Sequence, residues 1–212
     1  EYGRLRVIGP NAAGALRAAG FAVADLADSA WAEVAADGAA QVIVLKQQAY
    51  EIPGFELIAP TAALSALAEQ LPRTGIVPVD DATYEVRRIE LGRPAAGQEL
   101  TDAYNPLEAG IGWTCADNKG CYTGQEIIAR QTTYDKVTKA LVGLRSAAPL
   151  TVAAELQADD RIVGVVTSSA VSPQLTAPIA LAVVRRPYHE AGTELQVGDQ
   201  TVTVATLPLV AE

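Results

Sequence analysis

Apolar residues follow more than one period along this chain, and the character of the pattern changes near residue 138. Residues 4–8 (Arg-Leu-Arg-Val-Ile) alternate as a strand does and stop at Gly9-Pro10. Asn11 to Ala19 reads as a short helix closed by Gly20, at the usual C-terminal glycine position. Gln41–Lys46 and Phe55–Ala59 are expected strands, joined through Pro53-Gly54. From Pro60 the period lengthens. Leu64, Leu67, Ala68 and Leu71 fall at i, i+3, i+4 and i+7, the stripe of an amphipathic helix that Pro72 ends. Asp80 or Asp81 can cap another helix running to about Leu91, with Val86 and Ile89 inward and the arginines outward.

Gly92 to Gly120 reads as loop, punctuated by Pro94, Gly97, Pro106, Gly110 and Gly112, and a loop of that length is functional or hides structure. A short helix is expected over 124–131. After Lys136 come short runs rich in valine and isoleucine: Leu141–Leu144, Ile162–Thr167, Ile179–Val184, Glu194–Val197 and Val202–Ala205. Pro, Gly, Asp or Ser separates them, the signature of a small all-β barrel or sandwich. The pattern therefore divides the chain into 1–137 and 138–212.

Composition narrows the class. Half of the 212 residues are hydrophobic, enough for a real core. No apolar run approaches the length that crosses a bilayer, and no signal peptide opens the sequence. The chain holds no methionine, so a longer gene product is expected. A formal charge of −9 argues against general nucleic-acid binding, although Arg87, Arg88, Arg93, Lys119, Arg130, Lys136 and Lys139 leave room for a local basic patch. Two cysteines, Cys115 and Cys121, are too few for a disulfide scaffold or a four-ligand zinc site. They suit a reducing, cytoplasmic compartment. His189 is remote in sequence and reads as a loop residue.

Two clusters carry candidate chemistry. In Lys119-Gly120-Cys121-Tyr122-Thr123-Gly124-Gln125-Glu126 a thiol stands just before an expected helix. Thr123 and Glu126 have capping-box spacing, which puts Cys121 two residues before the cap. Unpaired amides favour negative charge there, and Lys119 adds a cation; both stabilise a thiolate. The alternative is a buried, inert cysteine beside a glycine turn, and a third reading joins Cys115 and Cys121 in a site completed by another chain. In the second cluster, Arg88-Ile89-Glu90 with Gly92 and Gly97, residues two apart on a helix do not face each other. Glu90 can then accept two parallel N–H bonds from the amide-like edge of a pterin. Otherwise this is a solvated helix face.

These phrases together resemble the folate-binding superfamily of the glycine-cleavage T-protein (aminomethyltransferase), and most closely its YgfZ branch. The octapeptide 119–126 is similar to the YgfZ signature at every position, and Ala129-Arg130 continues it. Arg88-Ile89-Glu90-Leu91-Gly92, Gly97-Gln98-Glu99 and Asn105-Pro106-Leu107-Glu108 resemble the segment leading into it. Val163–Ser169 with Ser172-Pro173 resembles the C-terminal barrel. The resemblance implies an α+β fold: part of a T-protein-like folate-binding α/β body at 1–137, then a small C-terminal β-barrel at 138–212. It implies a tetrahydrofolate-dependent factor, loaded with tetrahydrofolate or a one-carbon derivative, that assembles or repairs iron–sulfur client proteins and through them affects tRNA modification. The functional thiol would be Cys121 with Lys119 beside it. Glu90 would face the folate, with Arg88, Tyr122, Gln125 and Glu126 on the cofactor side. A folate-dependent aminomethyltransferase and a non-catalytic scaffold are the alternatives. T-proteins lack the cysteine and carry Gly-Tyr-Thr-Gly-Glu where this chain has Gln48-Ala49-Tyr50-Glu51-Ile52, so their glutamate falls on Ile52. Arg4–Pro10 resembles the family's middle, which implies that an N-terminal portion of the folate pocket is missing.

Overall fold

In the N-terminal part of the chain, apolar side chains from neighbouring strands gather on one face of a four-stranded sheet and make it dry. The computed structural model describes residues 1–23, 25–35, 41–47 and 52–210, in two units, Glu1–Asp80 and Asp81–Glu212. The first unit holds β1 (Tyr2–Ile8), β2 (Trp31–Ala35), β3 (Gln41–Gln47) and β4 (Gly54–Pro60), all antiparallel in the order β1-β4-β3-β2. Val7, Val42, Val44, Phe55 and Leu57 point to one face. There they meet Leu16 of α1 (Ala12–Ala18) and Leu64 and Leu67 of α2 (Thr61–Gln70).

On the other face Arg6 stands opposite Glu56 in register and donates from Nε to Oε1 at 2.6 Å. Arg4 Nε lies 3.1 Å from Oε2 of the same buried carboxylate. The α2 stripe is where the sequence places it, but Pro72 does not stop the chain at once. The last turn tightens into a 3-10 helix, Leu71–Thr74, and ends at Gly75 with φ +89°. Strand β2 was not anticipated, since Trp31-Ala32-Glu33-Val34-Ala35 alternates only weakly. Ile52 is buried, while residues 48–51 of the phrase read in the sequence lie outside the described residues.

The second unit is organised by a closed barrel. Strands β5 (Lys139–Arg145), β6 (Glu155–Ala158), β7 (Arg161–Ser172), β8 (Ala177–Arg185), β9 (Glu194–Val197) and β10 (Gln200–Ala205) close in the order β10-β5-β8-β7-β6-β9. Leu144, Leu156, Val166, Val184, Leu195 and Val202 fill it. Ala180, Ala182 and Val184 of β8 join that core, whereas Ile179 and Leu181 pack with Ile89 and Leu209 in a second cluster. Both faces of β8 are thus covered, which explains its unbroken apolar run. Ile89 brings α3 (Asp81–Glu90) against the barrel.

Strand β7 is longer than the sequence pattern suggests. It runs for 12 residues and absorbs a register shift between Val166 and Ser168 before reaching Ser172. Between α3 and the barrel the chain is mostly irregular. It carries a 3-10 turn, Gly112–Thr114, and then α4 (Gln125–Thr133). One expectation fails on α3: Arg88 does not face outward. It is 1% exposed and heads the fully buried side chains by volume.

Candidate functional site

The buried arginine is the hub of the first cluster. Its Nε donates to Glu85 Oε2 at 2.7 Å, and Nη1 donates to the Arg93 carbonyl and to Glu99 Oε2, each at 3.2 Å. Its Nη2 donates to Ser168 Oγ at 2.7 Å and also meets Glu85 Oε1 and Gln98 Oε1. Glu99 is wholly buried and accepts the Ala95 N–H at 3.0 Å. A guanidinium with all its donors placed can stay charged inside a protein. Here it ties the helix, the 93–99 loop and barrel strand β7 together. The Arg88 guanidinium also holds the Glu85 carboxyl below its ordinary range, chiefly through their hydrogen bond and against the opposing effect of burial.

Glu90, two residues on, belongs to a different network. Its Oε1 accepts the Ser172 hydroxyl at 2.5 Å, and Oε2 accepts Arg87 Nη1 at 3.1 Å. Arg87 Nη1 also reaches Gln174 Oε1 at 3.3 Å. The helix backbone is fixed as well, because the Glu90 carbonyl accepts the Leu209 N–H at 2.7 Å. The carboxylate is 5% exposed and lines a cavity of about 470 Å3 between the helix face Ala82, Val86, Arg87 and the turn Pro173–Gln174. Such a volume lies within the range of small-molecule sites, about 300–1,000 Å3. Apart from Arg87 and Glu90 the walls are uncharged. A fixed carboxylate in that setting can recognise paired N–H donors.

The second cluster lies in the turn into α4. Cys121 is exposed, as is Lys119, whose Nζ sits 5.1 Å from the centre of the Tyr122 ring. That is a cation–π contact, so the ammonium is held by the ring. Tyr122 and Gln125 are half-buried and Glu126 is exposed. The capping box expected from Thr123 and Glu126 is not formed. Gly124, at φ +86°, is the N-cap, and the helix starts at Gln125 without a side-chain cap. The left-handed backbone explains the substitution of roles: glycine takes that conformation without strain, and threonine does not. The sulfur therefore precedes the cap by three residues, not two. The helix runs to Thr133 and has no buried residue.

The sequence-derived residues thus fall into two groups, Arg88 with Glu90 and Lys119 with Cys121, Tyr122, Gln125 and Glu126. Sequence reasoning missed Ser168, Ser172, Gln98 and Glu99 as partners. Ser172-Pro173 and Gly97-Gln98-Glu99 were conspicuous as phrases, but nothing in them tells which helix they face. Among the described residues no group of three His, Cys, Asp or Glu side chains is placed to hold a metal ion.

Residues 139–210 match the family "Glycine cleavage T-protein C-terminal barrel domain". The chain is similar in structure to aminomethyltransferase T of the Bartonella henselae glycine cleavage system, with a TM-score of 0.81 at 26% identity, covering 98% of this chain and 60% of that one. The chain has the T-protein superfamily fold. A chloroplastic protein of Arabidopsis thaliana, named as a candidate transferase, is 32% identical over 159 residues, 74% of this chain and 37% of its own length. The aminomethyltransferase of Synechococcus elongatus is 35% identical over 153 residues, 68% of this chain and 39% of its own. The chain therefore spans roughly two fifths of the length of these T-protein-like relatives. The α+β class and the C-terminal barrel read from the sequence are both present. Among the described residues no helix is long and apolar enough to cross a membrane.

Proposed function

We propose that the chain is part of a YgfZ-like, tetrahydrofolate-dependent factor that assembles or repairs iron–sulfur proteins, with Cys121 as its working thiol. The observation that carries this reading is the exposure of Cys121 at a turn whose sequence resembles the YgfZ signature. A cysteine kept only as packing would be buried. This one is accessible to a client protein and adjoins Lys119 and Tyr122.

The residues present fit a folate. Glu90 would hold the donor edge of the pterin, since its carboxylate is fixed at the cavity and retains acceptor capacity. Arg88 would contribute indirectly by keeping α3 and the 93–99 loop in place, because its donors are engaged within the chain. Tyr122, Gln125 and Glu126 would shape the turn that presents the thiol. Tetrahydrofolate, when bound, supplies a carrier for one-carbon units. A reducing compartment, cytoplasmic or plastid, suits two free thiols.

The test is complementation of an iron–sulfur enzyme defect by the complete gene and by its Cys121→Ala variant. Loss of complementation with an unchanged fold is expected; full complementation would overturn the role of the thiol. A second reading, aminomethyl transfer to tetrahydrofolate, is favoured by the names of relatives such as the Synechococcus protein. It predicts formation of 5,10-methylenetetrahydrofolate from an aminomethyl donor, insensitive to Cys121→Ala.

A further inference from the structure

We propose that Ser172 is a positioning residue for Glu90, so that the turn after β7 sets which heterocycle edge the cavity accepts. This rests on the folate reading of Glu90 above. Ser172 is fully buried at the last position of β7. Its Oγ accepts the Leu175 N–H at 3.0 Å, and the same hydroxyl donates to Glu90 Oε1 at 2.5 Å. A serine hydroxyl has one hydrogen, and its direction is free until something else on the oxygen is fixed. The Leu175 amide fixes it, and the hydrogen is left aimed at the carboxylate.

On the other oxygen, Arg87 Nη1 donates at 3.1 Å while also touching Gln174 of the same turn at 3.3 Å. The carboxylate is thus gripped once on each oxygen. A carboxylate has about four lone-pair sites, so one remains on each oxygen. Two acceptors held in one plane suit a ligand with two parallel N–H donors, such as the ring N–H and exocyclic amine of a 2-amino-4-oxopyrimidine. They gain little from a ligand that lacks the amine. Without the Ser172 hydrogen bond the carboxylate turns about its terminal torsion, which is broad when unrestrained, and the two acceptors lose their common aim.

The experiment titrates the complete gene product, and its Ser172→Ala, Glu90→Gln and doubly substituted variants, with tetrahydrofolate and with its 2-desamino-2-methyl analogue. Thermal melting accompanies each titration. Ser172→Ala is expected to weaken tetrahydrofolate about 10- to 100-fold, the range of a hydrogen bond to a charged group, and to leave the analogue nearly unchanged. In the Glu90→Gln background the serine substitution should add nothing to that discrimination. Should Ser172→Ala not fold, Ser172→Cys keeps a donor, though a weaker and bulkier one, and its discrimination should fall below that of the unsubstituted protein. Equal weakening of both ligands, or unchanged discrimination, overturns the positioning role and leaves the folate reading standing. Failure of the unsubstituted complete protein to bind tetrahydrofolate overturns that reading and this role with it.

Discussion

Glu90 and Cys121 make an instructive pair, because the chain treats its two candidate working groups in opposite ways. The carboxylate is buried, gripped on both oxygens and backed by a second network around Arg88. The thiol is exposed on a turn that leads into a helix with no buried residue. Rigid burial suits recognition of a fixed shape, since a preorganised acceptor loses no freedom when the ligand arrives. Exposure suits chemistry on something large, which has to come to the sulfur. On the function proposed above, the contrast would divide labour between a group that binds and a group that meets a partner.

Four experiments test how deep the contrast runs. The largest effect is expected for Arg88→Met, which leaves Glu99 buried without its cation. Removing one partner of a buried pair costs roughly 3–5 kcal/mol, so the urea midpoint should fall steeply; a loss near zero would mean the hub is not rigid. Next is Gly164→Ala on β7. The added Cβ would stand 2.7 Å from the Val183 carbonyl oxygen, a backbone atom that cannot swing away. Overpacking of this kind costs about 1–3 kcal/mol, and thermal melting of the variant measures it.

A smaller effect attaches to pH. Glu85 keeps its charge in the folded protein at pH values where the unfolded chain takes up a proton, because Arg88 lowers its native pKa. Its contribution to stability is therefore complete above the unfolded glutamate value of about 4.3 and fades as pH falls through the lower native value. Glu85→Gln should lower stability at neutral pH and flatten that part of the acid limb in a pH series of unfolding curves. A limb as steep as before would remove Glu85 from the account. The smallest change is expected for Cys121→Ala, within about 0.5 kcal/mol, as for an exposed surface side chain. A large loss of stability would instead show that the thiol supports the fold.

The sequence announced some of this and concealed the rest for physical reasons. Strand β8 was legible because both its faces are covered and its run is unbroken. Helix α2 was legible because only one face is, so its leucines repeat at helical spacing. Strand β6 escaped notice although β9 has the same length and burial, because Glu155-Leu156-Gln157-Ala158 lacks the β-branched residue that Val197 gives to β9. Arg88 was misplaced because an arginine among charged neighbours on a helix normally faces water. Its capping partners Gln98 and Ser168 lie 10 and 80 residues further along the chain, out of reach of any local period. The turn at Gly124 was misjudged in favour of a threonine cap because spacing alone says nothing of the sign of φ. Exposure of Cys121, which decides between a working thiol and an inert one, is a property of packing and has no counterpart in spacing.

Closure of the six strands into a ring has one more effect, on how other chains can approach. A ring offers no row of unpaired amides and carbonyls, so nothing can lengthen it by lying alongside as a further strand. The four-stranded layer differs, since β1 and β2 form its two margins and β2 carries the exposed Trp31. Among the described residues, a visiting peptide in extended form would find a strand template only at those margins, and at the ring it would have to make do with side chains and turns.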